Sequence, residues 1–154
     1  MRKLILKMSI SMDGFCADSD PDGSQKWLFD TADDESNAWE ISFLKDAGYH
    51  AMGHNTYRVM AGFWPVANDG FSGLMNSIPK QAPANPSGKA IPNEDVIRSW
   101  THPRVAQGDL GEQIAKLKRE DGKNIVAYGG ASFAQSLIEL DVVDDYRFLA
   151  PSTR

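Results

Sequence analysis

The chain has 154 residues, of which 42% are hydrophobic and 24% charged, and it carries a net charge of −5 at neutral pH. That length suits a single domain spanning 1–154, able to bury roughly two-thirds of its unfolded surface. The acidic balance argues against a general binder of nucleic acid or of anionic membranes, both of which need a basic face. One cysteine, Cys16, excludes an intrachain disulfide and fits a reducing cytoplasm.

The N-terminal run MRKLILKMSISMDG is broken by Lys7 before a signal-peptide core accumulates. No stretch approaches the ~20 apolar residues of a membrane helix. A cytoplasmic protein with no membrane and no nucleic-acid partner is therefore expected. Leu4–Ile10 reads as a strand, followed by the turn signal Asp13-Gly14. Ser9, Ser11 and Asp13 place polar groups at its end, where they either make a plain turn or line a ligand pocket. The polar cluster Asp18–Ser24 reads as a turn, with Trp27, Leu28 and Phe29 packing back on the body.

Asp33–Ala47 has the pattern of a helix, with Ala38, Ile41, Leu44 and Ala47 on one stripe widened by Phe43. Acidic residues in its first turn suit the helix dipole, and Gly48 is a plausible stop. A short strand Tyr49–Met52 then meets Gly53 and a second helix over about Asn55–Met60. Residues Phe63–Val105 are the least regular. They hold six of the eight prolines, and the stretch Lys80–Lys89 reads as a surface loop within an irregular region at about 79–103. Trp27, Trp39, Trp64 and Trp100 read as core or pocket wall.

From Gly108 the pattern sharpens. Asp109 and Glu112 open a helix whose buried stripe is Leu110, Ile114 and Leu117. Lys123–Tyr128 is a strand. Gly129-Gly130 turns it into a helix over Ala131–Leu140 with Phe133, Ala134, Leu137 and Ile138 inward, and Asp144–Ala150 is a further strand. This alternation points to an α/β fold with a largely parallel sheet flanked by helices.

Two strand-to-helix junctions carry the chemistry. At Gly129-Gly130 the backbone can approach a ligand closely, and unpaired amides at the positive end of a helix dipole make an anion site, to which Ser132 adds a hydroxyl. The alternative is that the glycines only permit a tight turn. The second junction, Met52-Gly53-His54-Asn55-Thr56-Tyr57, can likewise bind phosphate or simply start a helix. In a parallel sheet both junctions open at the carboxyl ends of strands, where ligands bind. His54 and His102 have no acid or cysteine at metal-ligand spacing, so no metal is expected.

The ordered segments KLILKMSISMDGF, MGHNTYRVMAGFWP, LMNSIPK and GDLGEQIAKLKREDGKNIVAYGGASFAQSLIELDVVDDYRFL resemble bacterial dihydrofolate-reductase-like proteins. The narrower resemblance is to the family named for the C-terminal reductase domain of the bifunctional riboflavin-biosynthesis deaminase-reductase, RibD. It implies a three-layer fold with a central, mostly parallel mixed sheet, usually assembled as a homodimer. It implies NADPH as cofactor, with NADH possible, and a small-molecule heterocyclic substrate of pterin, folate or pyrimidine type. Gly129, Gly130, Ala131 and Ser132 would meet the pyrophosphate. Gly53, His54 and Thr56 would serve the adenosine-phosphate side, and Ser11, Met12 and Asp13 the nicotinamide and substrate. Asp13 and Glu40 are the candidate proton donors, although Glu40 also reads as an exposed helix residue.

The chain departs from the family pattern at three places. His54 stands where the family has Arg, which grips a 2′-phosphate bidentately as neutral His does not. After IPK the family continues in a β-branched strand, whereas this chain reads QAPANPSGK, a sequence not expected in a buried strand. The family continues past VDDYRFL through a hairpin, whereas this chain reads on to PSTR; a sheet edge left bare there is expected to pair with another chain. These departures keep a second hypothesis in play, a non-catalytic relative that binds a nucleotide or only self-associates.

Overall fold

The computed structural model describes residues 1–16, 32–83, 104–106 and 108–150. Two short apolar runs pair with each other inside it, β1 (Leu4–Ser9) and β5 (Asn124–Tyr128). Leu4, Leu6, Ile125 and Ala127 are wholly covered and Val126 nearly so, as expected of strands enclosed on both faces. Around them stand β2 (Ala47–Met52), β3 (Lys80–Pro83), β4 (Arg104–Ala106) and β6 (Asp145–Leu149), in the order β4-β3-β2-β5-β1-β6. Every pairing among the described residues is parallel, so the mixed sheet expected from the resemblance is, over these residues, wholly parallel.

Helices cover both faces. Packed on one are α1 (Asp34–Lys45), α2 (His54–Phe63) and α3 (Ser72–Ser77); on the other are α4 (Leu110–Arg119) and α5 (Ala131–Glu139). Alternation along β5 divides the core: Val126 and Tyr128 join Leu44, Met52, Tyr57 and Met75, while Ile125 and Ala127 join Leu6, Ile114, Ala134 and Leu137. Complete burial of a side chain such as Leu137 contributes about 1.5–3 kcal/mol.

Several sequence expectations need correction. The first helix ends at Lys45, where Asp46 N–H bonds back to Phe43 O at 3.2 Å in a tightened last turn, and Ala47 already belongs to β2. Gly48 therefore does not stop the helix. A Cβ there would stand 2.9 Å from Lys123 Cβ, so the glycine permits β2 and β5 to approach where their register shifts between Ala47 and Tyr49. Ala38 is exposed rather than on the buried stripe, and Ile138 is 48% exposed because α5 turns only Ala134 and Leu137 fully inward. The second helix is longer than expected, running to Phe63.

The expected loop at Lys80–Lys89 begins as a strand. Its proline, Pro83, sits at the last position of β3, where it is tolerated better than in a strand interior. Residues 80–83 pair with β2 through Lys80 and Gln81 and with β4 through Gln81, Ala82 and Pro83. The expectations for Asp18–Ser24, for Trp27, Leu28 and Phe29, for 84–89, and for Trp100 and His102 lie outside the described residues. No helix among those described is long and apolar enough to cross a membrane.

Candidate active site

The strand order creates a crevice. From β2 the chain passes through α2 on one face and goes on to β3; from the neighbouring β5 it passes through α5 on the opposite face to β6, two places away in the other direction. The connections leaving β2 and β5 therefore diverge, and open α/β sheets bind ligands at such a point. The two junctions singled out from sequence are the two walls of this crevice. They touch: a Cβ on Gly53 would lie 3.0 Å from Phe133 Cβ, and one on Gly130 would lie 3.8 Å from Thr56 Oγ1.

Neither helix at the crevice is capped. Gly53 precedes α2 and Gly130 precedes α5, and neither makes a side-chain cap hydrogen bond. The first intrahelical bonds are Tyr57 N–H to Gly53 O at 2.9 Å and, from both Phe133 and Ala134 N–H, to Gly130 O at 3.1 Å. The amides of His54 and Asn55, and of Ala131 and Ser132, point off the two helix ends with no capping side chain. Gly130, Ala131 and Ser132 are exposed. The three glycines have different reasons to be there. Gly53 and Gly129 permit close packing, the latter with a Cβ position 3.2 Å from Ala134 N. Gly130 has an ordinary φ of −73° and a Cβ there would make only an ordinary contact with Thr56, so neither conformation nor packing demands glycine there. Its absent side chain leaves the amides bare, as an anion site requires.

The end of β1 closes into a small turn. Ser11 N–H donates to Phe15 O at 2.8 Å, Phe15 N–H to Ser11 Oγ at 2.9 Å, and Ser11 Oγ to Asp13 Oδ1 at 2.5 Å; Gly14 has a φ of +90°. Asp13 and Met12 are exposed, Met12 by 83%. Ser11, Met12 and Asp13 thus lie together at the carboxyl end of β1, next to β5. Glu40 is not the exposed helix residue expected. Its carboxylate pairs with the ammonium of Lys7, which is only 7% exposed in the middle of β1. Lys7 Nζ also lies 3.4 Å from Ser9 Oγ and 5.8 Å from the centroid of Tyr128, its register partner on β5.

The family model of the RibD C-terminal domain matches residues 2–152. The chain belongs to the RibD C-terminal domain family. Its fold is the dihydrofolate-reductase-like α/β sandwich of that family, as two solved structures also show. A candidate riboflavin-biosynthesis protein from Shewanella sp. PV-4 superposes with a TM-score of 0.67 at 19% identity, over 95% of this chain and 75% of its own. A pyrimidine reductase-like protein from Corynebacterium diphtheriae superposes with a TM-score of 0.60 at 15% identity, over 99% of this chain and 76% of its own. No curated protein matches the chain significantly.

Sequence reasoning missed three buried polar residues of this RibD-type domain. Lys7 figured only as an interruption of an apolar run; a lysine inside an otherwise continuous apolar strand was the signal that could have found it. Lys80 is 2% exposed, and its ammonium donates to the carbonyls of Met75 and Ile78 at the end of α3. Burial pushes its pKa down to about 7. His50, its register partner on β2, is wholly buried, and among the described residues neither ring nitrogen has a hydrogen-bond partner. The imidazole stands edge-on to Tyr128, 5.2 Å between centroids at 81°. Burial first, and the Lys80 charge second, hold its pKa well below the usual value and keep it neutral. Tyr128 is pushed strongly upward by burial and then by the charge of Glu40, so its hydroxyl stays protonated. Of the tryptophans, Trp64 packs against the α1–α3 core, while Trp39 is 37% exposed and stacks on Phe43 at 5.3 Å.

Proposed function

We propose that this domain is an oxidoreductase that reduces a small nitrogen heterocycle of the pterin, folate or pyrimidine type, with NADPH as cofactor and NADH as the competing choice. The observation that carries the reading is the pair of uncapped helix termini meeting at the diverging point of the sheet, with an unneeded glycine, Gly130, at one of them. A diphosphate satisfies bare amides from two helix dipoles at once. Membership in the RibD C-terminal family supports the same reading.

In this assignment the amides following Gly130, with the Ser132 hydroxyl, hold the pyrophosphate. Gly53, His54 and Thr56 hold the adenosine-phosphate side, and Ser11 and Met12 border the nicotinamide. The bound cofactor supplies the hydride, delivered to an unsaturated C=N or C=O carbon. The chain's own contribution is to hold the two partners in reacting geometry and to fix charge around them. The proton is delivered at the carboxyl end of β1, where Asp13 is exposed and Glu40 is held by Lys7. The imidazole of His54 lacks the bidentate fork with which arginine grips a 2′-phosphate, so a narrow preference between the two dinucleotides follows. We infer the family's homodimeric assembly as well; the stacked Tyr146 and Phe148 on an exposed face of β6 are apolar surface that a second copy would cover, and light scattering tests the mass.

Titration of NADPH and NADH against intrinsic tryptophan fluorescence tests the reading. Saturable binding of NADPH is expected, lost in Gly130→Asp. Absence of binding by either dinucleotide at millimolar concentration overturns it. Binding without turnover across a panel of heterocycles selects the non-catalytic alternative.

A further inference from the structure

We propose that a slot at the amino ends of β1, β5 and β6 is a second binding site, fitted to a free α-amino acid with an apolar side chain. The slot lies at the end of the sheet opposite the crevice and is independent of the reductase reading. Its volume is about 210 Å³. Small-molecule sites commonly span about 300–1,000 Å³, so the slot is too small for a dinucleotide and suits a ligand of amino-acid size. Register sets its floor. Ile5 pairs with Val126 on one side and with Asp145 on the other, and alternation turns these residues to the face that α1 covers. Ile5 and Val126 are 6% and 1% exposed, so the bottom of the slot is apolar. Phe43, near the end of α1, walls one side and is held by stacking on Trp39.

The charges around this floor are not equivalent. On the β6 side Arg147 Nη2 donates to Asp145 Oδ2 at 2.8 Å, so these two satisfy each other. Lys7 and Glu40, nearer the crevice, are paired with each other and do not line the slot. One cation and one anion remain, Lys3 and Asp46. Both are exposed, and among the described residues neither side chain makes a hydrogen bond or an ion pair. The Lys3 charge helps to hold the Asp144 carboxyl low, but Asp144 Oδ2 is already taken by Lys118 Nζ and by Leu4 N–H, each at 2.7 Å. Unpaired surface charges are ordinary. Unpaired charges of both signs bordering an apolar slot are what a zwitterion needs. An ammonium only donates hydrogen bonds and a carboxylate only accepts them. Lys3, with the side-chain amide of Asn124 beside it, therefore takes the ligand carboxylate, and Asp46 takes the ligand ammonium. The ligand side chain then leaves water for Ile5, Val126 and Phe43, which supplies the favourable free energy. A ligand lacking either charge leaves one of the two residues unanswered.

The test is calorimetric titration of the full chain with L-leucine and L-phenylalanine, and with two analogues of the latter: hydrocinnamate, which lacks the ammonium, and phenethylamine, which lacks the carboxylate. Saturable binding of at least one amino acid is expected, with each analogue at least tenfold weaker than L-phenylalanine where that is the ligand bound. Asp46→Asn should weaken the amino acid at least tenfold while leaving hydrocinnamate unchanged. Lys3→Met should weaken it equally while leaving phenethylamine unchanged. Both side chains are exposed, so neither substitution disturbs the core. Gly130→Asp, which blocks the diphosphate junction, should leave amino-acid binding as it is. No saturable binding of either amino acid at millimolar concentration, equal binding of L-phenylalanine and its analogues, or binding that survives both substitutions overturns the proposal. Binding lost in Gly130→Asp places the amino acid in the crevice and overturns it too. A chain that binds the amino acid but neither dinucleotide leaves the slot standing and removes the reductase reading.

Discussion

The four longer helices begin in two different ways. Asp33 opens α1 with a capping box, accepting from Ser36 N–H at 2.8 Å while Ser36 Oγ accepts from Asp33 N–H, and Asp109 opens α4 by accepting from Glu112 N–H at 3.0 Å. At α2 and α5 glycine stands in that place and no side chain answers the amides. The capped helices lead into β2 and β5 at the amino ends of the strands; the uncapped ones leave β2 and β5 at their carboxyl ends. An N-cap contributes about 0.5–2 kcal/mol. The chain takes that stabilisation at the helices that lead into β2 and β5 and forgoes it at the two that leave them at the crevice, which is the pattern of termini kept open for a ligand.

This contrast can be broken in several ways. The largest effect is expected from Leu137→Ala, which removes the side chain fastening α5 to the sheet. A loss of about 2–5 kcal/mol in chemical denaturation is expected, and the bare terminus should go with it, so NADPH binding falls in parallel with stability. Gly130→Asp separates the two quantities. Its φ of −73° and the ordinary 3.8 Å contact a Cβ would make with Thr56 Oγ1 admit a side chain, so the new cap should raise the melting temperature while the carboxylate occupies the amides and repels phosphate. NADPH binding should weaken at least tenfold, and a variant that is stabilised yet binds normally would show that the terminus is not the phosphate site.

Asp109→Ala provides the mirror image, a loss of about 1 kcal/mol with cofactor affinity unchanged. A smaller effect should appear in the pH dependence. His50 and Lys80 both have folded-state pKa values below their unfolded ones, so the unfolded chain binds more protons. Stability should therefore rise with pH, for His50 as pH climbs towards about 6.5 and for Lys80 between about 7 and 10.5. Melting temperatures recorded from pH 5 to 9 should climb, and Lys80→Met should flatten the upper part of the slope.

Much of this architecture is legible in the residues themselves. Asp109 announces α4, the run ending at Tyr128 announces β5, and Gly129-Gly130 announces the turn into α5, because each signal is local. The crevice is legible only in part: both junctions can be picked out, but that Thr56 meets Gly130 depends on β2 and β5 being neighbours, a pairing across more than seventy residues. The Lys7–Glu40 contact is harder still, since helical periodicity says which residues of α1 share a face but not which strand position that face meets. The β3 strand escapes notice because Pro83 and Pro86 together argue for a loop, whereas the ladder uses only residues 80–83.

The place of β1 between β5 and β6 shapes how the chain must fold. Its neighbours are β5, beginning at Asn124, and β6, beginning at Asp145, so β1 waits for partners encoded well over a hundred residues later. Contacts so distant along the chain slow folding, because a large loop must close before any pairing is gained. During synthesis Leu4–Ser9 is thus an apolar strand with no sheet to join, and Lys7, the charge that later holds Glu40, is also what keeps that waiting segment from being uniformly sticky.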